Sequence, residues 1–352
     1  MDSASYSQIF NTSWTLHRLS PLHHKKDCES LLNNQTALNT YATRLRDQLT
    51  GDVLAGLHAT ASAVDDDALS KTGALKECRW QSISGSSQRD LSNRRDANTS
   101  FPGILVTLEY ENIVYKAVLL SEQESNMQRD TSREGSTFLP LLLTKCPNAL
   151  RQTFISFLST NFDAYCAPLR LPSSFLCKGL ENFVDKLRTG LGGSAADEIV
   201  EEVIRELQLT LAFSAVVAPA LRTLNVSISR ASLTGFLRHE NSTSKRTLKQ
   251  KLSSPLIANL SAYLETHLAM QLDLTGSSKS NAAKQHVRLS KASCAVFVLG
   301  GEGRMKLVAD VARAEGQDED DAPSKERLVL HASETLLRAV ISKAVIGDQT
   351  AT

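Results

Sequence analysis

Apolar positions recur along this chain in two rhythms that alternate irregularly, which predicts helices and strands mixed without a repeating unit. Ile9 to Leu22 is a β-prone stretch around Trp14, Thr15 and Leu16 that ends at the turn pair Ser20-Pro21. From Ser30 to Leu57, the positions Leu31, Leu38, Tyr41, Leu45 and Leu49 recur near helical spacing and predict one amphipathic helix. Residues 62–100 are rich in Ser, Asp, Asn and Arg, with few apolar residues beyond Leu75, Trp80 and Ile83. They predict a polar loop with one short strand around Trp80. Gly103 to Tyr110 and Ile113 to Leu120 are apolar, β-branched runs separated by Glu111-Asn112, the pattern of a hairpin. Phe138 to Leu143 predicts a short buried strand whose Pro140 marks a sheet edge or a bulge. Pro147-Asn148 then opens a helix with Leu150, Phe154, Phe157 and Leu158 on one face, and Phe162 and Tyr165 lie in the exit toward Pro168.

Phe175 to Leu187 predicts a helix that Gly190 to Gly193 stops; Ser194 with Asp197 resembles a capping box opening the next, in which Ile199, Val203 and Leu207 align. Leu207 to Phe213 and Leu221 to Ile228 read as paired strands, and Ser232 to Leu237 as a short helix. Pro255 takes the first position of a long helix with Leu256, Leu260, Leu264 and Leu268 spaced by four. Val287 to Leu299 is one long β-prone run and Lys306 to Val308 a short one. Leu328 to Leu330 precede a closing helix whose apolar face is Leu337, Val340, Ile341, Ala344 and Val345. The order reads as α+β, with mixed, largely antiparallel sheets and packed helices. A chain of 352 residues exceeds what one core usually fills. Two lobes are expected: residues 1–170, including the 62–100 loop, and residues 171–352, carrying a basic region.

Composition removes several classes of function. Apolar residues at 41% and charged residues at 22% are a globular balance, so the chain is not expected to be disordered. The first residues have neither a basic start nor an apolar run, which predicts no signal peptide. The longest membrane-helix candidate, Leu209 to Leu221, is broken by Ser214 and Pro219. Six cysteines scattered without CxxC spacing fit reduced thiols in a cytosolic or nuclear protein, where acceptor triplets such as those at Asn11, Asn98 and Asn225 meet no glycosyltransferase. A net charge of +1 hides an uneven distribution: between Arg238 and Lys306 there are eleven basic residues against four acidic ones. Lys245, Arg246, Lys249, Lys251, Lys284, Arg288 and Lys291 are therefore candidate contacts to a polyanion, with a merely solvated loop as the alternative for Lys245 to Lys251.

Candidate chemistry is sparse. His17, His23, His24 and Cys28 lie within twelve positions, but no second ligand pair follows at zinc spacing, so they read as solvated loop residues. Thr189 to Ala196 contains a glycine-rich turn followed by a helix, an arrangement that lets backbone N–H groups approach phosphate. It resembles the phosphate loop of the GHMP small-molecule kinases, without that motif's upstream proline and with Gly193 in place of its first serine. A helix stop at Gly190 and a start at Ser194 account for the same residues without a ligand. Gly300 to Gly303 lies between two strands and reads as a hairpin turn, not a dinucleotide loop. With no nucleophile elbow, metalloprotease motif or paired carboxylates in view, neither catalysis, cofactor nor small-molecule substrate is expected.

The segment from Phe10 through Asn11, Trp14-Thr15-Leu16 and Ser20-Pro21-Leu22 resembles the amino-terminal signature of the CENP-L family, with His17 and His23 where that family tends to carry tyrosine. Phe138 to Leu143, continuing through Phe157 to Phe162-Asp163, Tyr165 and Pro168-Leu169, is similar to the family's strand, helix and turn. Leu211 to Ser214 followed by Leu224 to Ser229, Tyr263 to His267, and Leu289 to Val296 resemble its later segments in the same order. The resemblance implies a non-enzymatic inner-kinetochore subunit in the nucleus, at centromeres. It further implies a heterodimer with a CENP-N-like partner through the carboxy-terminal sheet, contact with centromeric DNA or its nucleosome alongside other kinetochore subunits, and a role in chromosome segregation. For the partner, the residues themselves offer Cys294, Val296, Phe297, Val298 and Leu299, a β-prone run that accepts a partner strand if it lies on a sheet edge and is covered if it lies inside.

Overall fold

The computed structural model describes residues 8–24, 28–54, 72–83, 101–122, 135–189, 195–213, 220–237, 255–268, 287–309 and 322–346. By internal contacts these fall into two compact units, one built on Trp14–Leu169 with Val340 onward, the other on Arg170–Ala339 with Phe10–Ser13. Among the described residues there are seven helices and thirteen strands, and every recorded strand pair is antiparallel, as an α+β chain requires. None of these helices is long and apolar enough to cross a membrane.

In the first unit, β1 (Ser13–Leu19) lies between β8 (Cys166–Pro168) and β7 (Leu141–Lys145), followed by β5 (Val114–Leu120), β4 (Gly103–Tyr110) and β3 (Leu75–Ile83). A short pair, β2 (Leu22–His23) with β6 (Ser136–Thr137), stands apart. The β4–β5 hairpin closes at Glu111-Asn112, where the Tyr110 N–H donates to the Ile113 carbonyl at 3.0 Å. Gly103 has no alternative at its place, since a Cβ would sit 2.3 Å from the Leu119 carbonyl oxygen. Helix α1 (Gln35–Leu54) starts where the Asn34 carboxamide accepts from the Ala37 N–H at 3.1 Å. It buries Leu38, Tyr41, Leu45 and Leu49 against the sheet. Helix α2 (Asn148–Phe162) buries Leu150, Phe154, Phe157, Leu158 and Phe162 and ends at Asp163 in the left-handed region. Trp80 of β3 sits among Tyr41, Phe154, Phe157 and Phe162.

Two expectations for this unit change. The 62–100 stretch contains a nine-residue strand, β3, paired along nearly all of β4, where only a short strand was expected. Its outward positions are Glu77, Arg79 and Gln81, so only one side carried an apolar signal. Pro140 precedes β7 instead of sitting inside it, which frees that strand to pair on both sides with β1 and β5 and places it in the sheet interior.

In the second unit the sheet order is β10 (Thr223–Ile228), β9 (Leu207–Phe213), β11 (Val287–Ser293), β12 (Phe297–Gly300) and β13 (Arg304–Leu307). The predicted single run Val287 to Leu299 is two strands, because the chain turns at Cys294 to Val296, where the Cys294 N–H donates to the Phe297 carbonyl at 2.9 Å. Gly301 to Gly303 closes the β12–β13 hairpin, with Gly303 at φ +80°. Helix α3 (Ser173–Thr189) packs on the sheet, with Phe183 against Phe297 at 4.9 Å between ring centroids. Gly179 leaves the space that Leu299 and Leu336 fill. Helix α4 (Ala195–Ile204) stops before the positive-φ Arg205, so Leu207 belongs to β9 and not to a helix. Helices α5 (Arg230–Leu237) and α6 (Leu256–Leu268) follow the expected segments. Leu328 to Leu330 lie inside α7 (Ala322–Ile346), and Val345 is exposed while Leu337, Val340, Ile341 and Ala344 are buried.

Candidate nucleic-acid interface

The second unit's sheet separates its side chains by period two. Leu207, Leu209, Leu211, Leu289, Ala292, Phe297, Leu299, Met305 and Leu307 are buried, on the side covered by α3. The other face follows from the register. Arg288 lies opposite Ala212, and Lys291 lies between Thr210 and Gly300. Lys306 lies opposite Val298, and Arg304 opposite Gly300. Gln208, Thr210, Thr223, Asn225 and Ser227 complete this face, with the Asn225 carboxamide oxygen accepting from the Thr210 hydroxyl at 2.9 Å.

Arg288, Lys291 and Arg304 are exposed and Lys306 is half-buried; none of the four has an ion-pair partner among the described residues. The five strands contain no Asp or Glu at all. Glu302 sits in the β12–β13 turn, and Glu206, just before β9, accepts from Gln208 at 3.2 Å. The face is cationic and rich in hydroxyl and amide groups, and it carries no aromatic ring. It suits phosphate oxygens and offers no platform on which bases would stack.

Of the seven basic residues singled out in the sequence, Arg288 and Lys291 meet on this face, while Lys245, Arg246, Lys249, Lys251 and Lys284 lie outside the described residues. Arg304 and Lys306 were counted in the basic region without being assigned a role. Their signal was the alternation Arg304, Met305, Lys306, Leu307, which puts both cations on one side of a strand.

The partner-strand candidates fall on β12 and the turn before it. Strand β12 is paired on both sides, with β11 and with β13, so its backbone groups are already used. Val296, Phe297 and Leu299 are buried and Cys294 lies in the turn, leaving only half-buried Val298 on the open face. Among the described residues β10 stands at one end of this sheet, paired by β9.

Among the described residues, sites for catalysis or metal find little material. His17 and His24 are buried and not solvated, contrary to expectation. The His24 ring lies 2.9 Å from the Cys28 carbonyl oxygen and 2.8 Å from the Thr137 hydroxyl. No group of three or more His, Cys, Asp or Glu among the described residues is placed to hold a metal ion. Burial pushes the thiols of Cys78, Cys146, Cys166 and Cys294 up to about 12, so they stay protonated and unreactive at neutral pH. A cavity of about 300 Å³ between α1 and β3 is lined by Gln35, Asn39, Thr43 and residues 77–81. Its two charged groups, Glu77 and Arg79, are spent on each other. Gly190 to Ser194 lie outside the described residues. In the first turn of α4, Asp197 pairs with Arg188 at 3.1 Å and Glu198 follows it, so carboxylates occupy the helix terminus that a phosphate would need.

These features define an α+β protein whose described residues present a charged sheet face. The chain belongs to the CENP-L family: the family model described as Centromere protein L matches residues 8–345, nearly its whole length. It is thus a centromere protein, of a structural kinetochore family. A search of curated proteins finds no match.

Proposed function

We propose that this chain is a non-enzymatic inner-kinetochore subunit that pairs with a CENP-N-like partner and lays the open face of its second sheet on centromeric DNA in the nucleus. The observation that carries this reading is the placement of Arg288, Lys291, Arg304 and Lys306 on one exposed, acid-free sheet face. Cations in such an array neutralise backbone phosphates and release counterions without reading sequence. The carboxy-terminal half, residues 171–352, serves as the partner-binding region, and the edge of β10 that no described strand covers is the place where a partner strand would add main-chain hydrogen bonds.

The test is co-expression with a CENP-N homologue, gel filtration of the complex, and titration with duplex DNA over a range of salt. A stable complex is expected. Arg288→Ala with Lys291→Ala is expected to weaken DNA binding about three- to tenfold and to lower the salt slope by roughly one to two. Failure to form the complex sinks the partner reading, and unchanged binding by the double variant removes the sheet face. A separate variant with Lys245, Arg246, Lys249 and Lys251 all changed to Glu is expected to weaken binding and flatten its salt dependence; wild-type binding there limits the interface to the sheet.

A further inference from the structure

Across the first unit's sheet, Arg79 of β3, Thr107 of β4, Lys116 of β5 and Lys145 of β7 stand directly opposite one another in a single cross-strand row. Arg79 is paired with Glu77, and the Glu109 carboxylate also acts on it. Lys116 and Lys145 have no such partner among the described residues: the Lys116 ammonium donates to the Gln8 carboxamide oxygen at 2.8 Å, a neutral group. Lys116 is half-buried and its pKa is lowered, first by burial and then by Lys145, with no carboxylate acting against either.

Like charges directly opposed on neighbouring strands destabilise a sheet. Here the opposition is left uncompensated on the side where Thr107 adds a hydroxyl. An anion placed between the two ammonium groups removes the repulsion and restores what Lys116 loses on burial. Strands about 5 Å apart put both side chains in reach of one phosphate or of two adjacent ones.

We propose that Lys116 and Lys145 form a phosphate-binding pair, a second contact for the backbone of duplex DNA on the first unit, separate from the cationic face of the second. The proposal rests on the DNA-binding reading given above and extends it to residues outside the basic stretch of the sequence.

The experiment titrates the full chain with duplex DNA across salt concentrations and melts it without DNA, for wild type, Lys116→Gln with Lys145→Gln, Lys145→Arg, and Arg288→Ala with Lys291→Ala. The lysine double variant is expected to melt one to several degrees higher, because the repulsion is gone. It is also expected to bind more weakly, with a salt slope smaller by roughly one to two, while Lys145→Arg keeps wild-type binding. A gain in stability joined to a loss in binding is what a purely structural role does not produce. An unchanged salt slope, or a lower melting temperature, overturns the pair. Loss of binding confined to Arg288→Ala with Lys291→Ala overturns it alone, and absence of duplex binding by the wild-type chain overturns the DNA reading together with it.

Discussion

Replacement of Trp80 by Ala is expected to cost about 3–5 kcal/mol, a large fraction of what holds a domain of this size folded. Trp80 is 1% exposed although it lies on an edge strand. Its ring centroid is 6.2 Å from Tyr41, 6.2 Å from Phe154, 6.0 Å from Phe157 and 6.3 Å from Phe162. One side chain therefore joins α1, α2 and β3, and four large rings lose a neighbour at once. The remaining space is too large to close without moving two helices, so the cavity term adds to the lost burial. Trp80→Phe keeps an aromatic ring in place and should lose less than half as much. Denaturant unfolding of both variants decides the matter: a loss under about 1 kcal/mol for Trp80→Ala means that the cluster does not anchor the first unit.

Trp80 also shows which parts of the fold its sequence makes readable. Helices α1 and α2 and the β4–β5 hairpin were legible because each buries a regular set of positions, so periodicity alone locates them. Strand β3 reads short because Glu77, Arg79 and Gln81 face outward, its core side offers Leu75, Cys78 and Trp80 with an irregularity between residues 75 and 77, and Ile83 lies on the other face opposite Gly103. The turn between β11 and β12 was hidden because Cys294-Ala295-Val296 contains no Gly, Pro, Asn or Asp, the residues by which turns announce themselves. With that turn unread, the run from Val287 to Leu299 stands as one strand whose place at an edge or inside the sheet stays open, and only the pairing of β12 with both β11 and β13 decides between the two.

The cationic face was half legible for a related reason. A local excess of basic residues is a property of composition, but a face is a property of register. Arg304 and Lys306 reach Lys291 only because β12 turns back through Gly301 to Gly303 and pairs Gly300 with both Lys291 and Arg304. The Lys116–Lys145 opposition lies farther still from any linear signal, since 29 positions separate the two residues in sequence and only the β5–β7 pairing joins them.

Acid should weaken this protein through His17, and a single substitution should remove that share of the effect. His17 is buried on β1 between Leu142 of β7 and Pro168 of β8, and its Nδ1 atom has no hydrogen-bond partner among the described residues. Its pKa is lowered to about 4, chiefly by burial and secondly by the Arg151 guanidinium, against a smaller opposing effect from the Thr15 backbone. Between that value and the ordinary histidine value of about 6.5, the unfolded chain binds a proton that the folded chain does not. Stability therefore rises with pH across this window: the contribution is complete above about 6.5 and is lost as pH falls toward about 4. The full shift corresponds to about 3 kcal/mol, or about 2 after allowance for solvent screening. Since carboxylates titrate nearby, the informative quantity is a difference between two proteins. His17→Phe should lose about 2 kcal/mol less than wild type between pH 7 and pH 4, measured by denaturant unfolding at each pH. Equal losses in the two proteins would show that His17 is protonated in the folded state without penalty.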